Sequence, residues 1–241
     1  MSSTYSNSSE TIGAQQLVTA FGSVFPKLRV LRNVIIPLPA DSALATAEID
    51  TIVVCPAGIF IFEIKAWHDA YVFREKVPDA PTRWFLRPQG SNELQQLRDP
   101  SAQGAFKMAT LRSIMPKQIR LQYFVFLPCN GVEIEPSMPP GVITAADLPY
   151  LVRTIRKSSQ SPKSPCATLD DEAIDIAAEM LLSMRGDLTE AQHISNCQEY
   201  ARSKLGVDSR FAGCDSVAEE ADHHMHNATF NSSAFDACSA P

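Results

Sequence analysis

Two apolar runs separated by a tight turn constrain this sequence more than any other feature. Residues 47–54 and 59–67 (AEIDTIVV and IFIFEIKAW) flank the tetrapeptide Cys55-Pro56-Ala57-Gly58. Proline suits the second position of a type I turn and glycine the fourth, so this stretch predicts a β-hairpin. Symmetric pairing about the turn places Val54 opposite Ile59.

The same pairing collects the polar side chains on one face of the hairpin. Asp50 falls opposite Glu63, and Glu48 falls opposite Lys65, because alternate residues of a strand share a face. The other face is then almost entirely apolar. It is predicted to contain Ile49, Thr51, Val53, Phe60, Phe62 and Ile64.

Two opposed carboxylates between apolar strands are electrostatically unfavourable. Their Cβ atoms would lie about 5 Å apart, where like charges destabilise a sheet, and a buried unpaired charge is costly. One interpretation places Mg²⁺ between Asp50 and Glu63, because this ion prefers hard oxygen ligands, and has Lys65 hold a water beside it. The other is a structural hairpin in which Glu48 pairs with Lys65 and Asp50 is solvated near the strand edge.

Composition limits the class of protein. The chain has 241 residues, of which 45% are hydrophobic and 20% charged, so wholesale disorder and a fibrous repeat are excluded. No run approaches the roughly 20 apolar residues that a membrane-spanning helix requires. Six widely spaced cysteines without a CxxC pair, together with the lack of a signal-peptide pattern, predict reduced thiols in a cytoplasmic protein.

Charge is divided unevenly along the chain. Residues 166–241 contain 14 acidic and 4 basic residues, which leaves 13 acidic and 17 basic residues in residues 1–165. The net charges are therefore −10 and +4. This division is typical of a domain that faces a polyanion and bears an acidic appendage.

The remaining sequence predicts one α/β domain with a helical extension. Strand-like runs recur from Arg29 to Arg74 and at Leu121–Leu127, residues 75–98 are predicted to form a loop, and Asp99-Pro100 is a helix start. The chain divides into five segments: a disordered tail (1–12), the α/β domain (13–156), a linker (157–167), an acidic helical extension (168–205) and a disordered tail (206–241).

The hairpin motif resembles a known family. Asp50 followed by GIFIFEIK at residues 58–65 is similar to the IDhhhh…GhhhhEhK core of the NERD (nuclease-related) domain, where h is apolar. That family belongs with the PD-(D/E)xK nucleases. The resemblance implies a restriction-endonuclease-like core, with a mixed β-sheet flanked by helices.

The resemblance extends beyond the hairpin over roughly residues 13–155. Trp67 and Trp84 fit the family pattern, and residues 99–103 (DPSAQ) are similar to its N-P-x-x-Q helix start, with Asp in place of Asn. Either tryptophan would stack on nucleic-acid bases or pack in the core.

The resemblance implies metal-assisted hydrolysis of DNA phosphodiester bonds with Mg²⁺, or Mn²⁺ in its place. Asp50 and Glu63 would bind the metal, and the backbone carbonyl of Ile64 would be a third ligand. Lys65 would orient the attacking water, and Gln103 would reach the site from its helix. Lys107, one turn further along the same helix, is an accessory candidate for contacting a phosphate.

One position departs from the family pattern. Family members usually have a glutamate in the first helix, where this chain has Gln15. Three hypotheses follow: an active nuclease in DNA processing or defence against foreign DNA, an impaired nuclease-like module that binds nucleic acid or protein, and a purely structural hairpin. The acidic extension would bind a protein partner or cover the cleft.

Overall fold

Two β-sheets and five helices form the part of the chain that the structure describes. The computed structural model describes residues 3–38, 44–76 and 82–200. In chain order its elements are α1 (Ser3–Gly22), β1 (Arg29–Pro37), β2 (Thr46–Cys55), β3 (Gly58–Ile64), β4 (Ala70–Glu75), β5 (Arg83–Pro88), β6 (Gln95–Leu97), α2 (Pro100–Ile114), β7 (Leu121–Leu127), β8 (Val132–Ile134), β9 (Val142–Thr144), α3 (Leu148–Ser159), α4 (Asp171–Ser183) and α5 (Glu190–Tyr200).

Both sheets mix parallel and antiparallel strands. The larger sheet has the order β1-β2-β3-β7-β9, with antiparallel pairs up to β3 and parallel pairs from β3 to β9. The smaller sheet has the order β6-β5-β4-β8. Helices flank the sheets, so the predicted fold class is confirmed: a restriction-endonuclease-like α/β core with a C-terminal helical extension.

The predicted hairpin register is confirmed. Val54 pairs with Ile59, and the antiparallel ladder continues to Thr51 and Phe62, where it ends. Gly58 adopts a φ of 130°, and a side chain there would collide with the backbone carbonyl of Arg120. The turn therefore requires glycine at this position.

The larger sheet buries two different faces. Val53, Phe60 and Phe62 belong to a core cluster that also contains side chains of α1 and α3. Ile52 and Ile61 face a second cluster, formed with α2, α4 and the smaller sheet.

The predicted position of Ile49 is wrong. The alternation of the strand predicts that Ile49 lies with Val53, but it packs in the second cluster with Ile52. The β1–β2 ladder is interrupted opposite this point, at Asn33, whose φ of 52° is left-handed. A left-handed residue breaks the regular alternation of a strand, and Asp50 lies at this interruption.

The loop predicted over residues 75–98 is also wrong in part. It contains β5 and β6, while residues 77–81 lie outside the described ranges. Trp84 and Leu86 are buried against the core, whereas Arg87 is exposed, so this strand has an ordinary period-two pattern. Its flanking prolines obscure that pattern in the sequence.

The first helix begins earlier than predicted. The sequence places residues 1–12 in a disordered tail, but α1 begins at Ser3 and continues to Gly22. Leu17 and Phe21 are fully buried, so the second half of α1 is fixed by packing. A helix that is fixed at one end can extend through residues of modest propensity, because each added residue needs no new nucleus.

The acidic extension is packed onto the core. Ile174 and Leu181 of α4 are fully buried in the second cluster. Asp175 binds Lys27 at 2.8 Å and Arg29 at 2.6 Å, which ties α4 to the start of β1.

The predicted linker and the start of α5 have defined contacts. Ala167 donates a backbone hydrogen bond to Gln118, and Leu169 donates one to Pro56. Thr189 and Gln192 form a capping box at the start of α5. The tail predicted over 206–241 lies outside the described residues.

No helix in the described ranges is long and apolar enough to cross a membrane.

A first prediction concerns the packing of α2 against the larger sheet. A Cβ atom at Gly104 would collide with the ring of Tyr123, which is buried and hydrogen-bonded to Pro100. We expect Gly104→Ala to destabilise the fold by about 2 kcal/mol in urea unfolding, because overpacking displaces the helix. Ala105→Ser, at an exposed position of the same helix, is the control. Equal unfolding midpoints for the two variants would contradict this packing.

Candidate active site: a buried carboxylate pair with two lysines

Three elements bring the candidate residues together. Asp50 lies on β2, Glu63 lies near the end of β3, and Lys107 lies on α2. The Asp99 side chain accepts a hydrogen bond from Ser101 N at 2.8 Å and so caps the start of α2. This helix packs against β7, the parallel neighbour of β3, which turns Lys107 towards Glu63.

Asp50 is hydrogen-bonded to β3, the strand that contains Glu63. Its Oδ2 accepts a hydrogen bond of 2.6 Å from the backbone N–H of Ile64. This contact lies beyond the last β2–β3 ladder pair. The N–H of Ile64 is therefore bonded to a side chain of β2 instead of to its backbone. Oδ1 accepts no hydrogen bond from any residue in the described ranges.

Glu63 is held by two ammonium groups. Its Oε1 accepts a hydrogen bond from Lys65 Nζ at 3.0 Å, and its Oε2 accepts one from Lys107 Nζ at 2.5 Å. Glu63 is 4% exposed and Lys107 8% exposed. The backbone N–H of Lys65 donates to Phe126 O at 3.0 Å, which fixes this lysine beside the sheet.

The surroundings shift the pKa values of the two carboxyl groups in opposite directions. Burial raises the pKa of Asp50 well above its usual value, and the neighbouring charge of Glu63 raises it further. Burial also acts to raise the pKa of Glu63, but Lys107 and Lys65 outweigh it and lower the value to about 2. Asp50 is half-buried and its carboxylate accepts the N–H of Ile64, whereas the structural-hairpin interpretation has it solvated near the strand edge.

The pKa of Lys107 is raised. Burial disfavours its charged form, but attraction to Glu63 and then to Asp50 prevails. Lys107 is thus held as an ammonium group by the two carboxylates.

Tyr123 of β7 is a site neighbour that the sequence did not indicate. Burial, followed by the charges of Glu63 and Asp50, raises the pKa of its hydroxyl well above the usual value. The hydroxyl donates to Pro100 O at 2.9 Å, so Tyr123 anchors the start of α2. The sequence signal for it is a tyrosine within the largely apolar strand LQYFVFL.

Gln103 and Gln15 are not part of this cluster of hydrogen bonds. Gln103 is half-buried one turn before Lys107, and within the described part of the chain it forms no hydrogen bond with Asp50 or Glu63. Gln15 is exposed on α1.

The other accessory candidates lie at the margin of the site. Glu48 is half-buried and pairs with Ile35 of β1, outside the β2–β3 ladder. Trp67 is partly buried against the second core cluster, and Trp84 is fully buried in it. Core packing therefore accounts for Trp84.

The residues present suit a hard divalent cation. Asp50 and Glu63 provide carboxylate oxygens, and Oδ1 of Asp50 is directed to no hydrogen-bond donor among the described residues. Within the same ranges, no group of three or more His, Cys, Asp or Glu side chains could hold a metal. Two carboxylates, a backbone carbonyl such as that of Ile64 and waters match the ligand set that Mg²⁺ accepts, since it retains several waters.

Comparison with known proteins identifies the family. Residues 11–128 match the sequence profile of the nuclease-related domain, NERD. This part of the chain therefore belongs to the NERD family, and the resemblance inferred from the sequence is confirmed.

Other comparisons add little. No curated protein matches the chain. A crystal structure of a protein of unknown function, AF1548, is similar at 13% identity over 90% of this chain and 100% of that one, with a TM-score of 0.27. A likeness this low supports no conclusion about fold or function.

A second prediction contrasts the two carboxylates. We expect Asp50→Asn to stabilise the metal-free protein by about 1 kcal/mol, because it removes a carboxylate whose ionisation is unfavourable in the folded state. Glu63→Gln should destabilise it by about 3 kcal/mol, because two lysines lose their counter-ion. Urea unfolding in EDTA measures both effects, and Glu133→Gln, at an exposed site on β8, is the control. Changes of the same sign would contradict the assigned electrostatics.

A third prediction concerns acid. The folded-state pKa of Glu63 is about 2, below its ordinary value of 4.5, so its contribution to stability is fully present above pH 4.5 and is lost as the pH falls towards 2. The difference in unfolding free energy between wild type and Glu63→Gln should therefore shrink over this interval. A difference that stays constant from pH 6 to pH 2.5 would show that Glu63 does not titrate in this way.

Proposed function

We propose that this protein is a Mg²⁺-dependent nuclease that hydrolyses DNA phosphodiester bonds, in DNA processing or in defence against foreign DNA. The proposal is carried by one observation: Asp50 is bonded to the backbone N–H of Ile64, the residue after Glu63, and the buried Glu63 carboxylate is bonded to Lys65. Their arrangement lies within a nuclease-related domain. We place the protein in the cytoplasm, with Mn²⁺ as an alternative metal.

Each side chain has a role that follows from its position. Asp50 and Glu63, with the Ile64 carbonyl, would hold the metal, which polarises the phosphate and lowers the pKa of a bound water. Lys65 lies next to Glu63 and would orient the attacking water and stabilise the charge that develops on the phosphate. Gln103 would contact the substrate from α2.

A binding module is the alternative function. Its support is that α1 supplies no carboxylate, since Gln15 stands at the family's glutamate position and is exposed. Such a module would bind nucleic acid or protein without turnover. Its DNA affinity would fall steeply with salt, as phosphate contacts do.

The acidic extension remains a candidate for binding a protein partner or for covering the cleft. Its first helix, α4, buries one side against β1 and β2. The opposite side of α4 exposes Ile176 and Leu182, which suits a protein contact.

A fourth prediction tests the enzymatic proposal. We expect Asp50→Ala, Glu63→Ala and Lys65→Ala each to reduce Mg²⁺-dependent plasmid cleavage by at least about 100-fold, because each removes a group acting at the reacting phosphate. Cleavage is measured with and without Mg²⁺ or Mn²⁺, and circular dichroism checks the fold.

The control for this experiment is Lys76→Ala, which changes an exposed lysine at the end of β4. Full cleavage by the three site variants would reject the nuclease proposal. Salt-sensitive DNA binding by a wild-type protein that cleaves nothing would favour the binding module.

A further inference from the structure

Lys107 occupies an unusual position for a lysine. Its ammonium group is buried and donates to Oε2 of Glu63, the oxygen that Lys65 leaves unoccupied. Of the two ammonium groups that bind Glu63, that of Lys107 makes the shorter hydrogen bond, 2.5 Å against 3.0 Å for Lys65.

We propose that Lys107 is a built-in counter-ion that holds Glu63 in place without metal, and that a divalent ion must displace it from Glu63 in order to bind. This inference rests on the proposed metal site. It assigns to Lys107 a positioning role at that site that is distinct from contact with a phosphate.

The first argument is competition for one ligand. Both oxygens of Glu63 accept hydrogen bonds from ammonium groups, so a metal that takes Glu63 as a ligand must displace one of them. Lys107 binds Oε2 through the shorter of the two bonds, and Lys107 is buried. Lys107 therefore occupies one of the two oxygens that a metal shared with Asp50 would need.

The second argument is that displacement is feasible. Lys107 carries its charge on a four-carbon stem with several rotatable bonds, so the ammonium group can move without a shift of α2. Lys65 has the same flexible stem, but in the proposed function it stays beside the metal to orient the attacking water. Lys107 is therefore the lysine that must leave.

Two consequences follow. The folded protein is stable without metal, because the buried carboxylate charge is already compensated. A divalent ion binds this site more weakly than it would bind a carboxylate pair with no lysine in contact. Once the ion is bound, its charge and those of the two nearby ammonium groups exceed the negative charge of the carboxylates. Such an excess favours an anionic ligand, as a phosphodiester is.

The test compares thermal unfolding of wild type and Lys107→Met in EDTA and during titration with Mn²⁺ or Mg²⁺. We expect Lys107→Met to have a Tm lower by several degrees in EDTA. Metal should raise its Tm by more than that of wild type, with a half-maximal concentration at least about tenfold lower, because no ammonium group competes. Lys117→Met, at an exposed lysine, should behave as wild type.

A double variant separates charge from packing. In Glu63→Gln/Lys107→Met neither charge remains, so we expect a Tm in EDTA above that of Lys107→Met and no response to metal. A double variant no more stable than Lys107→Met would overturn the role of Lys107 as a counter-ion. This comparison holds even if Lys107→Met folds only when metal is present, which would itself support the proposal.

The outcomes also distinguish the two proposals. Equal half-maximal metal concentrations for wild type and Lys107→Met would overturn displacement while leaving the metal site intact. A Tm that responds to metal in neither protein would overturn the metal site, and displacement with it.

Discussion

The ionic cluster of Asp50, Glu63, Lys65 and Lys107 is the interaction on which the rest of the site depends. Moving charged groups out of water is costly, and their mutual attraction offsets that cost only with close contacts. Glu63 has two such contacts, whereas Asp50 has one bond from a backbone N–H. This asymmetry explains why one carboxyl group has a lowered pKa and the other a raised one.

The different contacts of Asp50 and Glu63 result from an irregularity in the larger sheet. A regular β1–β2–β3 arrangement would continue the ladder past Thr51 and set the two acids directly opposite each other. Instead the β1–β2 ladder is interrupted at Asn33, and the β2–β3 ladder ends at Phe62. Asp50 is released at this point and accepts the N–H of Ile64, which would otherwise need a partner of its own.

Local patterns in the sequence predict the parts of the site that lie within one hairpin or one helix turn. The turn residues fix the register that brings Asp50 to Glu63, and Asp99 is the cap of α2 that its sequence indicates. The bond between Lys107 and Glu63 joins residues 44 positions apart, and no local pattern encodes it. The position of Ile49 was mispredicted for a related reason, since a left-handed residue on a neighbouring strand altered the alternation.

The absence of a glutamate at position 15 of α1 has little effect on the charge balance around Glu63. Gln15 is exposed, so a carboxylate there would be solvated and would not enter the cluster around Glu63. The helix nevertheless supports the site, because a Cβ atom at Gly13 would lie 3.0 Å from Cδ1 of Ile64. The adjoining amide of Gln16 donates to Pro128 O at 3.3 Å, just past β7. Helix α1 therefore braces the end of β3 by close packing, while the charge balance is set by α2 and the hairpin.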